Sequence, residues 1–192
     1  MLMFQSKTLI FALVILIVGC KKPDGDETMD PSDGTYFSIL QFAEDQYQIY
    51  KGQPFTLERF IYLNGDRDST LIPAPDIDWA SVVRTFAKTD ISDSKYLGQY
   101  NFSVVEDDIT ISRIFYYEAK DPNLYTKSLQ IITDPENHKI KSIYIEAAED
   151  NWFSERTQRL YYAPEKILQI QESEHRLFGR DKDLRIEYRF LY

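Results

Sequence analysis

Apolar and polar residues alternate with a period of two from Gln99 to the end of the chain. The alternating segments are rich in Ile, Tyr, Phe and Thr, which are residue types that favour β-strands. The polar connections at 134–137 and 163–166 are too short to hold the crossover helix that parallel strands require. The pattern therefore predicts an antiparallel meander of about seven strands. Its strands are expected near residues 99–105, 109–119, 125–133, 139–148, 155–162, 166–175 and 184–191.

Two helices are predicted ahead of this meander. Between Ser38 and Tyr50 the apolar residues recur at spacings of three and four, and Ser38 forms a capping box with Gln41. The second helix follows Asp78, a residue type that caps helix N-termini. Its apolar stripe needs a sheet or another helix to cover it. The stripe consists of Trp79, Val82, Val83 and Phe86.

Asn64-Gly65 lies between two apolar runs and predicts a β-hairpin, since both turn positions favour positive φ. A helix from Pro54 to Leu63 is the competing interpretation. Together these elements predict an α+β fold, with N-terminal helices packed on a curved antiparallel meander. Paired aromatic residues at 116–117 and 161–162 place large side chains on both faces of the sheet. Either the helices cover the second face, or the sheet curls around a cavity.

The length of 192 residues fits a short leader followed by one domain. The composition is 43% hydrophobic and 15% aromatic, which supplies enough apolar surface for a core and excludes disorder of the whole chain. We divide the chain into a leader at residues 1–19, a lipidated cysteine and tether at 20–34, and a single α+β domain at 35–192.

The leader has the pattern of a bacterial signal peptide. Lys7 precedes ten apolar residues, Leu9 to Val18, about half the length needed to span a bilayer. The segment Ile17-Val18-Gly19-Cys20 resembles the lipobox of bacterial lipoprotein precursors. This resemblance implies cleavage after Gly19, attachment of diacylglycerol to the Cys20 thiol and acylation of the new amino group. A free cysteine in an ordinary secretory leader is the alternative.

Residues 21–34 indicate a solvated tether, because they include two Pro, two Gly and five acidic residues. This tether spans at most roughly 46 Å when fully extended. The whole chain has a formal charge of −9, and removing the leader, whose one charged residue is Lys7, leaves −10. Such acidity excludes a nucleic-acid interface and opposes attraction to anionic lipid. We therefore expect the acyl anchor, rather than charge, to hold the protein at the membrane.

The domain also resembles uncharacterised envelope lipoproteins of the Bacteroidota. The resemblance rests on Asn64-Gly65, the segment from Asp78 to Phe86, Asp90-Ile91 and Tyr100. It carries no known catalytic residue and implies an envelope lipoprotein. We expect this lipoprotein at the outer membrane, on its periplasmic face or at the cell surface.

The sequence offers few residues for histidine or metal chemistry. His138 and His175 are its two histidines. Glu172 and Glu174 precede His175 on a predicted strand and share one of its faces. His175 points to the opposite face, so exposed strand residues are favoured over a metal site. We predict neither a metal nor a cofactor.

Residues 66–70, Asp-Arg-Asp-Ser-Thr, resemble the DxDx(T/V) nucleophile motif of haloacid-dehalogenase-like phosphatases. This resemblance implies attack on phosphorus by Asp66, acid–base catalysis by Asp68 and a Mg²⁺ ion, with Asp107-Asp108 in the place of the later metal-binding pair. A polar hairpin turn explains the same residues and is the interpretation that the preceding Asn64-Gly65 favours.

Trp152 follows three polar residues in a predicted loop, where an exposed indole can contact a partner. We expect a non-enzymatic binding or assembly module. A carrier of a hydrophobic ligand or lipid, with a cavity inside the curved sheet, is the second hypothesis, and a hydrolase is the third. The expected partners are the membrane, through the acyl anchor, and an envelope protein or apolar ligand, with no nucleic acid.

The Cys20→Ser variant is expected to lose lipidation and membrane attachment, because serine lacks the thiolate nucleophile that the modification needs. Mass spectrometry of protein from its own host, together with membrane fractionation, measures both properties. An unmodified sulfur in the wild-type protein, or a variant that still partitions with membranes, would contradict the prediction.

Overall fold

A computed structural model describes residues 34–191 of the chain. The leader, Cys20 and the tether as far as Asp33 lie outside the described residues, so the predictions made for them stay predictions. The described chain forms two α-helices and nine β-strands. The helices are α1 (Ile39–Tyr50) and α2 (Trp79–Ala87). The strands are β1 (Thr56–Leu63), β2 (Asp66–Pro73), β3 (Tyr100–Asp107), β4 (Ser112–Ala119), β5 (Thr126–Thr133), β6 (Ile140–Asn151), β7 (Ser154–Ala163), β8 (Ile167–Arg176) and β9 (Lys182–Leu191).

All nine strands belong to one antiparallel sheet with the order β2-β1-β9-β8-β7-β6-β5-β4-β3. The seven strands from β3 to β9 form the predicted meander, and the Asn64-Gly65 hairpin forms instead of the competing helix. The expected total of about seven strands is wrong because the hairpin joins the same sheet. Its strand β1 pairs with β9, so that Leu57 lies opposite Phe190. The expected placement of both helices ahead of the strands is also wrong, since the hairpin lies between α1 and α2.

Both helices begin at the predicted capping residues. The Ser38 hydroxyl accepts a hydrogen bond from the Gln41 amide at 3.1 Å, and the Asp78 carboxylate accepts one from the Ser81 amide at 3.1 Å. The Gln41 side chain donates to Asp45 at 2.9 Å, so this glutamine is engaged within the first turns of the helix. Each helix start therefore has a side-chain acceptor for an amide that lacks a partner within the helix.

The helices pack on one face of the sheet, which we call the inner face. The core between them holds many fully buried side chains, including those of Ile39, Leu57, Tyr117, Leu129, Ile131, Ile143, Ile145 and Leu160. An apolar cavity between the helices and Tyr162 has a volume of about 30 Å³, which is room for about one water molecule. The helices thus cover the central part of the inner face, and the core around this cavity is well filled.

The opposite, outer face carries aromatic side chains that arginines cover. Phe60 is only 3% exposed, although it points away from the helices. The guanidinium carbons of Arg67 and Arg189 each lie 4.8 Å from the centroid of its ring. Arg185 lies 4.0 Å from the ring centroid of Tyr62. Cation–π contacts and the aliphatic stems of arginine therefore shield these two rings from solvent, as the helices shield the inner face.

The described chain starts near one end of the sheet and far from the other. The Tyr36 hydroxyl accepts a hydrogen bond from the Gly98 amide at 2.9 Å, close to where β3 begins. We call this end the entry end, since the chain enters the domain here. It also carries the turns at 64–65, 120–125, 152–153 and 177–181. The far end carries the turns at 108–111, 134–139 and 164–166.

The Leu129→Ala variant is expected to lose about 2–5 kcal/mol of unfolding free energy, because it opens a cavity under the helices. Leu129 is fully buried on the inner face. Leu71 is 63% exposed on β2, and the Leu71→Ala control is expected to change stability by at most about 0.5 kcal/mol. Urea denaturation of both variants measures the difference, and equal losses would contradict the assignment of the core.

Candidate functional site: an apolar surface at two hairpin tips

Two neighbouring turns at the entry end expose large apolar side chains. The β6–β7 turn presents Trp152 at 82% exposure and Phe153 at 48%. The β8–β9 turn presents Leu177 at 64% and Phe178 at 78%. We call these four residues the tip surface. Single exposed apolar residues are ordinary on proteins, whereas a contiguous group of them marks an interaction site.

The backbone joins the two turns into one surface. The Leu177 amide donates a hydrogen bond to the Phe153 carbonyl at 2.9 Å, directly beside the paired residues Ser154 and Arg176. The rings of Trp152 and Phe153 meet edge to face with centroids 5.1 Å apart. The tip surface is therefore organised before it meets any ligand, which lowers the entropic cost of binding.

The β6–β7 turn does not need aromatic residues in order to form. Two-residue hairpin turns favour Asn-Gly because both positions adopt positive φ, and this chain uses that solution at Asn64 (φ 51°) and Gly65 (φ 96°). Trp152 and Phe153 are not among the positive-φ residues. Their turn is held by the Asn151 side chain, which accepts hydrogen bonds from the amides of Phe153 at 3.3 Å and Ser154 at 3.0 Å. The geometry of this turn therefore does not explain why it carries two aromatic residues.

The β6–β7 hairpin also projects beyond its neighbour. The pairing of β5 with β6 starts at Thr126 opposite Ala147, while β6 continues to Asn151. The Ala148 amide still donates to the Tyr125 carbonyl at 2.9 Å, so the three residues after it, 149–151, extend the hairpin by about 10 Å at the usual strand rise. Trp152 therefore lies at the apex of a projecting hairpin.

Paired charges surround the tip surface. Residues 174–183 contain three acidic and three basic side chains, so this segment has no formal net charge. Arg176 and Glu174 form an ion pair at 2.8 Å, and His175 Nδ1 lies 2.9 Å from Asp181. The hydrogen bond from His175 holds the pKa of the exposed Asp181 carboxyl below its ordinary value. The rim of the tip surface is polar: its β8–β9 side is formally neutral, whereas residues 149–156 on its β6–β7 side carry a formal charge of −2.

The sequence singled out Trp152 as an exposed loop residue, and the structure places it at a hairpin apex. It did not single out Phe153, Leu177 or Phe178. The available signal was Leu177-Phe178 inside an otherwise charged turn, where two consecutive apolar residues are unusual. That these two turns lie side by side follows only from the pairing of β7 with β8.

A groove beside α2 is the second candidate site. It has a volume of about 570 Å³ and runs between α2 and the inner face of β7–β9, over Ile170 and Ile186. Its central charge, Glu172, is already engaged by Arg156 at 2.6 Å and by Lys182 at 3.3 Å. Partial burial opposes ionisation, yet the hydrogen bond and charge of Arg156 lower the pKa of Glu172. These ion pairs occupy the polar groups that a ligand would need.

The three residues of β8 that were considered as metal ligands do not converge. Glu172 and Glu174 lie on the inner face, as the strand period predicted, while His175 lies on the outer face beside Asp181. Within residues 34–191, no group of three or more His, Cys, Asp or Glu side chains is placed to hold a metal ion. His138 lies in the 134–139 turn at the far end with φ of 56°, remote from these residues.

The phosphatase-like aspartates are also separated. Asp66 begins the edge strand β2 immediately after the hairpin turn, and Asp68 accepts a hydrogen bond from the adjacent Ser69 amide at 2.8 Å. Asp107 ends β3 at the opposite edge of the sheet. The motif therefore lies on an exposed antiparallel edge strand. In a phosphatase of this kind it would follow a buried parallel strand. The hairpin explanation of these residues is confirmed.

In the part of the chain that the structure describes, no helix is both long enough and apolar enough to cross a bilayer. Comparison with protein-family models, with curated proteins and with solved structures finds no match for this chain.

Replacing both Trp152 and Phe153 by Ser is expected to change the free energy of unfolding by at most about 0.5 kcal/mol, because both side chains are exposed and the Asn151 side chain holds the turn. Urea denaturation monitored by circular dichroism measures this. A loss of more than about 1 kcal/mol would show that the aromatic pair stabilises the fold, and would remove the argument that it serves a contact.

Proposed function

We propose that this protein is a lipid-anchored, non-enzymatic binding module of the bacterial outer membrane, and that the tip surface is the part that contacts another envelope component. The observation that carries the proposal is the bare apolar apex formed by Trp152, Phe153, Leu177 and Phe178. The anchor at Cys20 and the tether that follows are proposed from the sequence alone.

The energetic cost of leaving such a surface bare supports a binding role. Each large apolar side chain that stays in water forgoes about 1.5–3 kcal/mol of burial free energy. The protein covers comparable side chains elsewhere, since Arg67 and Arg189 lie over Phe60 on the outer face. Bare aromatics at an apex whose turn is held by the Asn151 side chain therefore favour a contact made when the protein is in its place in the envelope.

A carrier function has less support. A drug-sized or larger ligand requires a pocket of about 300–1,000 Å³ with mainly apolar walls. The apolar cavity under the helices holds about 30 Å³. The groove of about 570 Å³ is open to solvent and has the Arg156–Glu172 ion pair in its wall. The weaker alternative, a hydrolase, rests on Asp66, which begins an exposed edge strand, and on His175, whose Nδ1 is engaged by Asp181 at 2.9 Å.

Photo-crosslinking in living cells tests the proposal. Benzoylphenylalanine is placed at position 152 in the full-length chain, expressed in its own host and irradiated. We expect covalent adducts from position 152, because its side chain lies within the proposed contact.

The matched control places the same probe at position 109. Ile109 is 94% exposed at the β3–β4 turn of the far end, so it is at least as accessible as Trp152 and differs in location. Adducts from both positions in equal yield, or from neither, would refute a binding role for the tip surface. Membrane fractionation of Cys20→Ser tests the anchor separately.

A further inference from the structure

We infer that the component bound by the tip surface is the lipid bilayer itself, whose head-group region takes up Trp152, Phe153, Leu177 and Phe178. This inference rests on the proposed function, since it names the partner of that same surface. It assigns the domain a second membrane contact besides the acyl chain.

The first support is the position of the tether. The described chain begins beside Gly98 at the entry end, where the Tyr36 hydroxyl is hydrogen-bonded. The Ser38 hydroxyl donates to Asp90 at 2.8 Å, and Thr89 in turn accepts from Thr126 at the first residue of β5. The segment that leads back to Cys20 therefore leaves from the same end of the sheet as the tip surface. A tether that leaves from this end reaches the lipid without passing along the domain, so it favours contact by the hairpin tips over contact by the far end.

The second support is the shape and size of the surface. The four side chains offer on the order of 500 Å² of apolar area, whereas a standard protein interface buries about 800 Å² on each partner. They also stand on projecting hairpins rather than on a flat face. A small projecting group with an indole at its apex suits the bilayer interface, where tryptophan is enriched because it combines an apolar body with a polar N–H.

The third support is charge. Residues 174–183 are formally neutral and residues 149–156 carry a formal charge of −2, so anionic head groups repel the tips and zwitterionic head groups do not. Arg176 and Lys182 have long aliphatic stems that can keep their charges at the level of the head groups. The chain as a whole is acidic, so zwitterionic lipid is favoured over anionic lipid. Binding through the tips is weak by itself, and the anchor strengthens it by raising the local concentration of lipid.

Fluorescence quenching in vesicles tests the inference with an anchor of known chemistry. Cys20 is the only cysteine of the chain, so the mature chain from residue 20 can be coupled through its thiol to a maleimide lipid. The vesicles consist of phosphatidylcholine and phosphatidylethanolamine with brominated acyl chains, which quench tryptophan at the bilayer. We expect Trp152 emission to shift to the blue and to be quenched.

A matched variant moves the reporter to the far end through Trp152→Phe combined with Ile109→Trp. Trp79 is common to both proteins and is half-buried, with its indole N–H donating to the Ala74 carbonyl at 3.1 Å. We expect at least about twofold more quenching with the reporter at 152 than with the reporter at 109. Position 152 lies at the entry end and position 109 at the far end, and the domain is about as tall as a bilayer is thick. Circular dichroism checks that both proteins are folded.

Equal quenching at the two positions, or none at 152, would overturn the inference. Quenching that requires phosphatidylglycerol would overturn the preference for zwitterionic lipid. The crosslinking experiment separates the two proposals: adducts from position 152 to a protein, without quenching, leave a binding module whose partner is not lipid. Absence of both adducts and quenching overturns both proposals.

Discussion

The pairing of β1 with β9 is the contact on which the rest of the structure depends. It joins residues more than a hundred positions apart and places Leu57 opposite Phe190 in the core. Because α1 precedes this hairpin and α2 follows it, docking the hairpin on the last strand brings both helices to the inner face. The same pairing supports the tip surface: the Asn64 amide donates to the Asp183 carbonyl and the Asp183 amide donates to the Asn64 side chain, both at 2.9 Å. The β8–β9 turn that carries Leu177 is thereby held by the β1–β2 turn.

This dependence explains which features the sequence could predict. The meander from β3 to β9 is local, because each strand pairs with its neighbour in sequence and the alternation of residues marks its bounds. The Asn64-Gly65 turn is likewise a local signal. No local signal identifies the strand that pairs with the hairpin, since nothing within β1 indicates which distant strand will pair with it. Trp152 was found from its polar neighbours in sequence. Its grouping with Leu177 and Phe178 required the register of the β7–β8 pairing and the hydrogen bond between the two turns.

The sequence left open what covers the aromatic residues on the second face of the sheet. The expected choices were a second covering layer or a closed cavity. At the pairs that raised the question, Tyr117 and Tyr162 are buried under the helices, and Tyr116 and Tyr161 lie half-buried on the outer face. On β1 of the same outer face, arginine side chains lie over Phe60 and Tyr62. Arginine suits this task because its planar guanidinium stacks on a ring while remaining partly hydrated. The contrast with Trp152 is informative, because charged residues of the surrounding turns pair with one another instead of lying over the indole.

A domain that meets the bilayer through its hairpin tips would stand with its strands steeply inclined to the membrane. Both sheet edges would then remain accessible from the side. The β2 edge is polar and ends at Pro73, features that discourage pairing with another strand. The β3 edge exposes Val104 and Val105 and pairs only with β4 among the described strands. Contact with lipid at the entry end therefore leaves the far end of the sheet, where β3 ends, directed away from the membrane.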